Sequence, residues 1–303
     1  MRGVGVVRAL VTAGLIAATA LKSASAAPVS VSDDAGAIIR LAQPARRIVT
    51  LAPHLAETLD AAGARSRLVG VVDFSDFPTP VAQLPHVGSY ARLDLEAIVA
   101  LKPDLVIGWQ SGNAPAQIDK LRALGIPVYL SQPNRIEDIA REIERFGVLA
   151  ATSETAQTAA AQFRARLASI DRRFSRQPAV RSFYQIWPAP LMTVGGRQII
   201  SDVLRRCGGE NVFAQLDTFA PTVTTEAVIA ADPEAIIASG MGDSRPEWLD
   251  AWRRWPTLTA VQRDNLYFIP PELLQRHTPR LLDGAERLCA ALEQARRKRP
   301  GRP

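Results

Sequence analysis

Residues 153–174 read SETAQTAAAQFRARLASIDRRF. Ala159, Ala160, Phe163, Leu167, Ile170 and Phe174 return at three- and four-residue steps, which places them on one stripe of a helix. Ser153 stands where an N-cap belongs, and Glu154 follows it at the positive end of the helix dipole. Neither Gly nor Pro interrupts the run before Pro178. About 22 residues at 1.5 Å each make a rod of roughly 33 Å, long enough to span a domain. Taken alone, the stretch also suits an amphipathic helix packed on a single sheet. Its flanks decide between the two. Strand–helix alternation runs on both sides of it, so the stretch is predicted to be a strut joining two α/β lobes, with a ligand cleft between them.

The two flanks share a unit. Residues 96–107 read EAIVALKPDLVI and residues 226–237 read EAVIAADPEAII, one copy on each side of the predicted strut. Both run Glu, Ala, two branched apolar residues, Ala, two variable residues, Pro, an acid and three apolar residues ending in Ile. A repeated unit implies repeated structure, here two Rossmann-like lobes. Glu96 and Glu226 hold the same place, in the first turn of a short helix. Each alone is explained by the helix dipole, worth up to about 1 kcal/mol. Matched acids on two lobes also suit docking to a pseudo-symmetric partner with basic pockets.

Strands are predicted at 46–51, 68–72, 105–108, 127–130, 182–186, 191–194, 235–239 and 266–269. Helices are predicted at 55–62, 95–101, 115–124, 136–150, 199–206, 226–231, 248–255 and 279–297. Phe74, Phe77, Tyr90 and Trp109 fall on loops that follow strands of the first lobe, where open α/β sheets bind ligands. Aromatic residues are only 6% of the chain, so this clustering points to a large flat ligand between aromatic walls. Aromatic plugging of the seam between lobes is the alternative.

Composition limits the partners. Of 36 basic residues, Arg2, Arg8 and Lys22 lie in the first 26 positions and five more in the last eight, leaving 28 against 30 acidic residues. The body is close to neutral and carries no basic patch interleaved with aromatics, so no nucleic-acid partner is expected. Residues 296–303 are expected to form a basic disordered tail. Residues 1–26 have the plan of a cleavable secretory signal: Arg2 and Arg8, an apolar stretch from Leu10 to Leu21, and Ala24-Ser25-Ala26. Cleavage near Ala26 and a periplasmic location are therefore expected. The remaining boundaries are predicted at 27–152 for the first lobe, 153–176 for the connecting helix and 177–295 for the second lobe. The only cysteines are Cys207 and Cys289. In an oxidising compartment an even pair invites a disulfide, although two buried thiols that never meet would fit as well.

The segments RIVTLAPHLAETLDAAG, VGVVDFSDFP, LDLEAIVALKPDLVIGWQSGN and LGIPVYL resemble the helical-backbone class of substrate-binding proteins of ABC importers. GGENVF at 208–213 and TPRLLDGAERLCAAL at 278–292 extend the resemblance to roughly residues 46–295. It implies a monomeric carrier that catalyses nothing and contains no cofactor. Such a carrier holds a macrocycle between two lobes, here cobalamin or a related corrinoid, and hands it to an inner-membrane permease. It implies a cleft lining of Phe74, Tyr90, Trp109, Ile186, Phe219 or Ala220, Glu272 and Arg276. It makes Glu96 and Glu226 the acids that meet permease arginines, and it implies a Cys207–Cys289 disulfide. Ile186 and Ala220 stand where relatives have aromatic residues, so the lining is thinner and another macrocycle stays open.

Alternatives remain at this level. Haem or a ferric siderophore would use Arg276 for an anionic group and His54 for iron. A metal-ion receptor would draw on His54, His86, His277 and Glu57, few ligands for a dedicated site, and no metal site is expected. A secreted hydrolase has no supporting motif: there is no nucleotide-binding glycine loop after the first strand, no G-x-S-x-G and no H-E-x-x-H.

Overall fold

The computed structural model describes residues 27–240, 242 and 244–301; the predicted secretory segment lies outside them. In the first lobe four parallel strands stand in the order Leu68–Gly70, Ile48–Thr50, Leu105–Trp109, Val128–Ser131. Their side chains alternate between two apolar layers. Ile48, Leu105, Ile107 and Tyr129 enter one, while Val49, Val106, Val128 and Leu130 enter the other. A sheet covered on both faces requires such near-continuous apolar strands.

The second lobe repeats the plan. Its parallel strands stand in the order Gly209–Asn211, Val180–Gln185, Ala235–Ala238, Leu266–Phe268. In chain order both sheets therefore read second, first, third, fourth. The repeated unit forms the helix and third strand of each. Asp94 caps the helix Leu95–Ala100 by accepting from the Ala97 N–H, and Thr224 caps Thr225–Ala231 by accepting from the Ala227 N–H. At the other end Lys102 and Asp232 both take left-handed backbone angles before the proline of each copy. An arginine at the start of each first strand acts alike, Arg47 just before Ile48–Thr50 and Arg181 second in Val180–Gln185. The Arg47 guanidinium donates to the Leu101 carbonyl, and that of Arg181 to the Ala231 carbonyl, each at the negative end of the repeat helix.

The connecting helix runs Ser153–Phe174. Ala156, Ala160, Phe163, Leu167 and Ile170 form its buried stripe, and one apolar cluster passes through that stripe from the first sheet to the second. Ser153 is its first helical residue rather than its cap. Thr152 precedes it, and the Thr152 hydroxyl donates to the Ala62 carbonyl. Arg206 of the second lobe donates to Glu137 of the first and to Asp171 of the connecting helix, which ties the three parts together. Cys207 and Cys289 form a disulfide between the end of helix Ile199–Arg206 and the last helix, Leu281–Arg297.

Several expectations change. The tail is not loose through 299. Arg296 is fully buried, and its guanidinium donates to the carbonyls of Pro178, Cys207 and Gly208, while Arg299 pairs with Glu234. The carbonyls of Cys207 and Gly208, left without helical partners where helix Ile199–Arg206 ends, are buried and supply two of the acceptors, so a charge read as solvated becomes structural. Residues 191–194 do not join the main sheet; Leu191–Met192 pairs with Trp187–Pro188 in a separate ribbon. The expected helix at 248–255 is a 3-10 turn over Glu247–Arg254. The strand Gly209–Asn211 and the N-terminal hairpin Val29–Ser32 with Ile38–Leu41 carry no strong local signal. Among the described residues no helix is long and apolar enough to cross a membrane.

Candidate functional site

The loops that follow the strands of both sheets meet along one seam. Between them lies a cavity of about 180 Å³. Trp109, Ser111, Gln132 and Pro133 line it from the first lobe, and Ile186, Phe219, Gln275 and His277 are among its walls from the second. Three of the predicted lining residues, Trp109, Ile186 and Phe219, thus share one space.

Trp109 is held by its own loop. Asn113 accepts the Trp109 N–H at 2.7 Å and donates to the carbonyls of Leu51 and Tyr90 at 2.9 and 2.8 Å. Gly112 lets the ring fold back over the turn, since a Cβ there would come within 1.9 Å of the indole. Tyr90 lies with its ring 5.8 Å from that of Trp109. Across the seam the close approach is made by Gly195, where a Cβ would strike the carbonyl oxygens of Thr218 and Leu216 at 2.1 and 2.4 Å. The Gly195-Gly196 pair therefore seats the loop that carries Phe219.

Other predicted residues sit elsewhere. Phe74 and Tyr90 stay on the open rim, 73% and 43% exposed, so they can meet only a ligand larger than the cavity. Glu272 is half-buried in the first turn of the short helix Pro271–Leu274. Arg276 turns from the cavity to the first lobe, where it pairs with Asp76, donates to Glu57 at 3.1 Å and reaches the Phe74 carbonyl. Its hydrogen bond holds the Asp76 carboxyl below the ordinary range. Arg280, one turn on, grips both oxygens of Glu57 at 2.9 Å and lies over the Phe77 ring at 4.1 Å. Glu57 is buried and bears two guanidiniums from the opposite lobe. Arg280 was not anticipated; the four-residue step from Arg276 in RHTPR was its available signal.

At the floor, His54 and His277 approach from opposite lobes with ring centroids 5.5 Å apart, and Trp109 sets its edge against both. Burial, then His277 and Arg276, drives the His54 pKa well below its usual value; burial pushes His277 down to about 4. Both rings are neutral at ordinary pH. Buried nitrogens lack hydrogen-bond partners here: Nε2 of His54, Nδ1 of His277 and Nε1 of Trp109. The seam is thus an apolar slot with uncharged polar atoms at its floor and a rim of aromatic and arginine side chains. That arrangement binds and orients; it presents no nucleophile activated by a base.

Glu96 and Glu226 are exposed, one on each lobe. A wider groove of about 510 Å³ begins at the neighbouring residues Asn134, Arg135, Gly196 and Arg197. It has no aromatic wall, and its Arg205 pairs with Asp202.

The family model of the periplasmic binding proteins matches residues 48–273. A vitamin B12-binding protein of Vibrio cholerae serotype O1 is 36% identical over 256 residues, covering 84% of this chain and 92% of its own. One from Yersinia pestis is 34% identical over 248 residues, covering 82% and 86%. The crystal structure of the periplasmic vitamin B12 binding protein BtuF of Vibrio cholerae superposes with a TM-score of 0.77 at 37% identity, covering 84% of this chain and 98% of that one. A periplasmic haem-binding protein from Pseudomonas aeruginosa superposes with a TM-score of 0.70 at 28% identity, covering 82% and 92%. The two-lobed frame is common to carriers of different macrocycles.

Proposed function

The chain belongs to the periplasmic binding protein family, and from that premise we propose that it captures cobalamin or a related corrinoid in the seam and delivers it to an ABC import permease. It is a carrier and not an enzyme, and its ligand is cargo rather than cofactor. The observation that carries the reading is the joint one of sequence and site. Relatives that bind vitamin B12 align over 84% of the chain, and Trp109, Ile186 and Phe219 of both lobes wall the same slot. A corrinoid is larger than the slot, so its ring lies across the mouth, where Phe74, Tyr90 and Arg276 stand.

Glu96 and Glu226 are the docking acids on this reading, and the carrier works as a monomer between two halves of a permease. The segment 1–26 directs export and is cleaved near Ala26. The lobes comprise 27–152 and 177–295, joined by the helical segment 153–176. Calorimetry with cyanocobalamin and with haemin tests the ligand. One-to-one heat with cyanocobalamin is expected, and heat with haemin alone would move the assignment.

A further inference from the structure

Resting on the corrinoid reading above, we infer that the slot is a carboxamide subsite: it takes one of the short amide arms of the captured macrocycle and rejects a carboxylate in the same place. The slot measures about 180 Å³, about six water volumes at roughly 30 Å³ each. No ring fits it. A primary carboxamide on a short aliphatic chain does, and such arms stand off the plane of a corrin on rotatable bonds. The ring can therefore rest across the mouth while one arm hangs into the slot.

The walls are polar without being charged. Ser111 and Gln132 of the first lobe and Gln198, Gln275 and His277 of the second stand among aromatic and aliphatic side chains, and among the described residues no Lys, Arg, Asp or Glu lines the slot. Two of these amides are anchored by their oxygens. Gln132 Oε1 accepts from the Ser111 N–H at 3.0 Å, and Gln198 Oε1 accepts from the Ile200 N–H at 2.5 Å. Among the described residues neither Nε2 has a partner, so each lobe offers an amide donor whose other end is fixed. The exposed hydroxyl of Ser111 and the His277 ring, whose Nδ1 is unpaired, supply acceptors. A primary amide both accepts and donates, and so uses both kinds of group. Burial, which brings His277 down to about 4, keeps its ring neutral.

A carboxylate matches the shape of this slot but not its field. It would bring a full charge into a half-apolar space, where burial disfavours the ion, and it has no hydrogen to give the acceptors. No cation stands ready to balance it. Arg276 is committed to Asp76 and Glu57, and Arg197, 5.9 Å from the Phe219 ring, is exposed and lines the wider groove. An acid therefore enters as the neutral acid, and its penalty grows about tenfold with each pH unit above its ionisation. The subsite thereby separates an amide-bearing corrinoid from a macrocycle that carries carboxylates, on a frame common to carriers of both.

The test uses the secreted chain with cyanocobalamin and with its monocarboxylic acids, each with a different amide arm hydrolysed, titrated by calorimetry at about pH 7.5 and about pH 5.5. One acid of the set is expected to bind at least about 100-fold more weakly than cyanocobalamin at the higher pH, with the gap closing to about 10-fold at the lower. Cyanocobalamin at the same two pH values is the reference, which removes the effect of protein groups that titrate between them, such as Glu142. Gln198→Arg and Ser111→Arg place a cation at the slot, and each should narrow the gap at the higher pH by at least about 10-fold. Gln132→Leu and Gln198→Leu should each weaken cyanocobalamin about 5-fold. Acids that all bind within about 3-fold of cyanocobalamin would overturn the inference. So would a gap that ignores pH, a gap that both arginine variants leave unchanged, or wild-type affinity in both leucine variants. Failure of cyanocobalamin itself to bind the wild-type chain would instead overturn the corrinoid reading, and this inference with it.

Discussion

Glu96 and Glu226 stand at the same step of the same helix–proline–strand unit, one on each lobe, and both are exposed. Each follows a capping residue, Asp94 or Thr224, whose side chain accepts from the third helical N–H. Each unit is anchored beneath by an equivalent arginine, Arg47 or Arg181. The helices are therefore fixed presentation platforms, and the dipole alone gives no reason for the acids to match across lobes. Glu96→Ala combined with Glu226→Ala is expected to leave corrinoid affinity within about 2-fold, since neither residue lines the seam, and to abolish uptake by cells lacking the native carrier. Normal uptake by the double variant would sink the docking role.

Glu57 is the buried centre of the bridge between lobes. Its two oxygens take Arg280, and Oε1 also takes Arg276. Removing one partner of a buried ion pair costs about 3–5 kcal/mol, because the remaining charge is stranded. The guanidiniums here are partly exposed, so the low end applies, and Glu57→Ala is expected to lower stability by about 3 kcal/mol. It should also free Arg280, whose guanidinium is held over the Phe77 ring by its two hydrogen bonds to Glu57, and weaken ligand capture. Urea unfolding and calorimetry on the same variant check both; wild-type stability would show that the bridge does not hold the lobes.

The strut and the twin lobes were legible because their signals are local. The 153–174 stripe repeats every turn, and each copy of the repeated unit carries its own cap and its own proline. The floor of the seam was not legible. His54 and His277 lie 223 positions apart, and nothing near either announces the other. Arg276 was expected to face the ligand. It faces Asp76 and Glu57 because the 73–79 loop of the first lobe comes within reach, a contact between sequence-distant segments. The tail misled for a related reason. A count of charges cannot show that the carbonyls of Cys207 and Gly208 wait for Arg296.

The disulfide ties residues 82 apart in sequence, both fully buried. In the chain-entropy model a closed loop of this size is worth about 4–5 kcal/mol, through restriction of the unfolded chain. It fastens the last helix to the end of helix Ile199–Arg206, where Arg296 also binds. Cys207→Ala with Cys289→Ala is expected to lose about 4 kcal/mol of unfolding free energy while ligand capture persists at low temperature. The wild-type protein unfolded without reductant should yield no titratable thiol. Two thiols per chain would refute the bond.

Glu142 gives the first lobe a pH dependence of definite sign. Burial, reinforced by the charge of Asp34, raises its carboxyl from 4.5 to about 7, against the lowering effects of Tyr129, Ser131 and Arg145. The unfolded chain releases this proton near 4.5, whereas the folded chain keeps it up to about 7. Between those values the native state binds the extra proton, so its contribution to stability is full below the unfolded value and is lost as pH rises through the folded one. At about 1.4 kcal/mol per unit the full span is on the order of 3 kcal/mol. Glu142→Gln titrates nowhere in this range and retains a polar partner for the Tyr129 hydroxyl, which now donates to Glu142 at 2.7 Å. Its unfolding free energy relative to wild type is therefore expected to rise steadily from pH 4.5 to 7, as read by urea denaturation at several pH values. Parallel stability curves for the two proteins would mean that Glu142 is already ionised in the folded lobe, with Arg145 and not the proton compensating its burial.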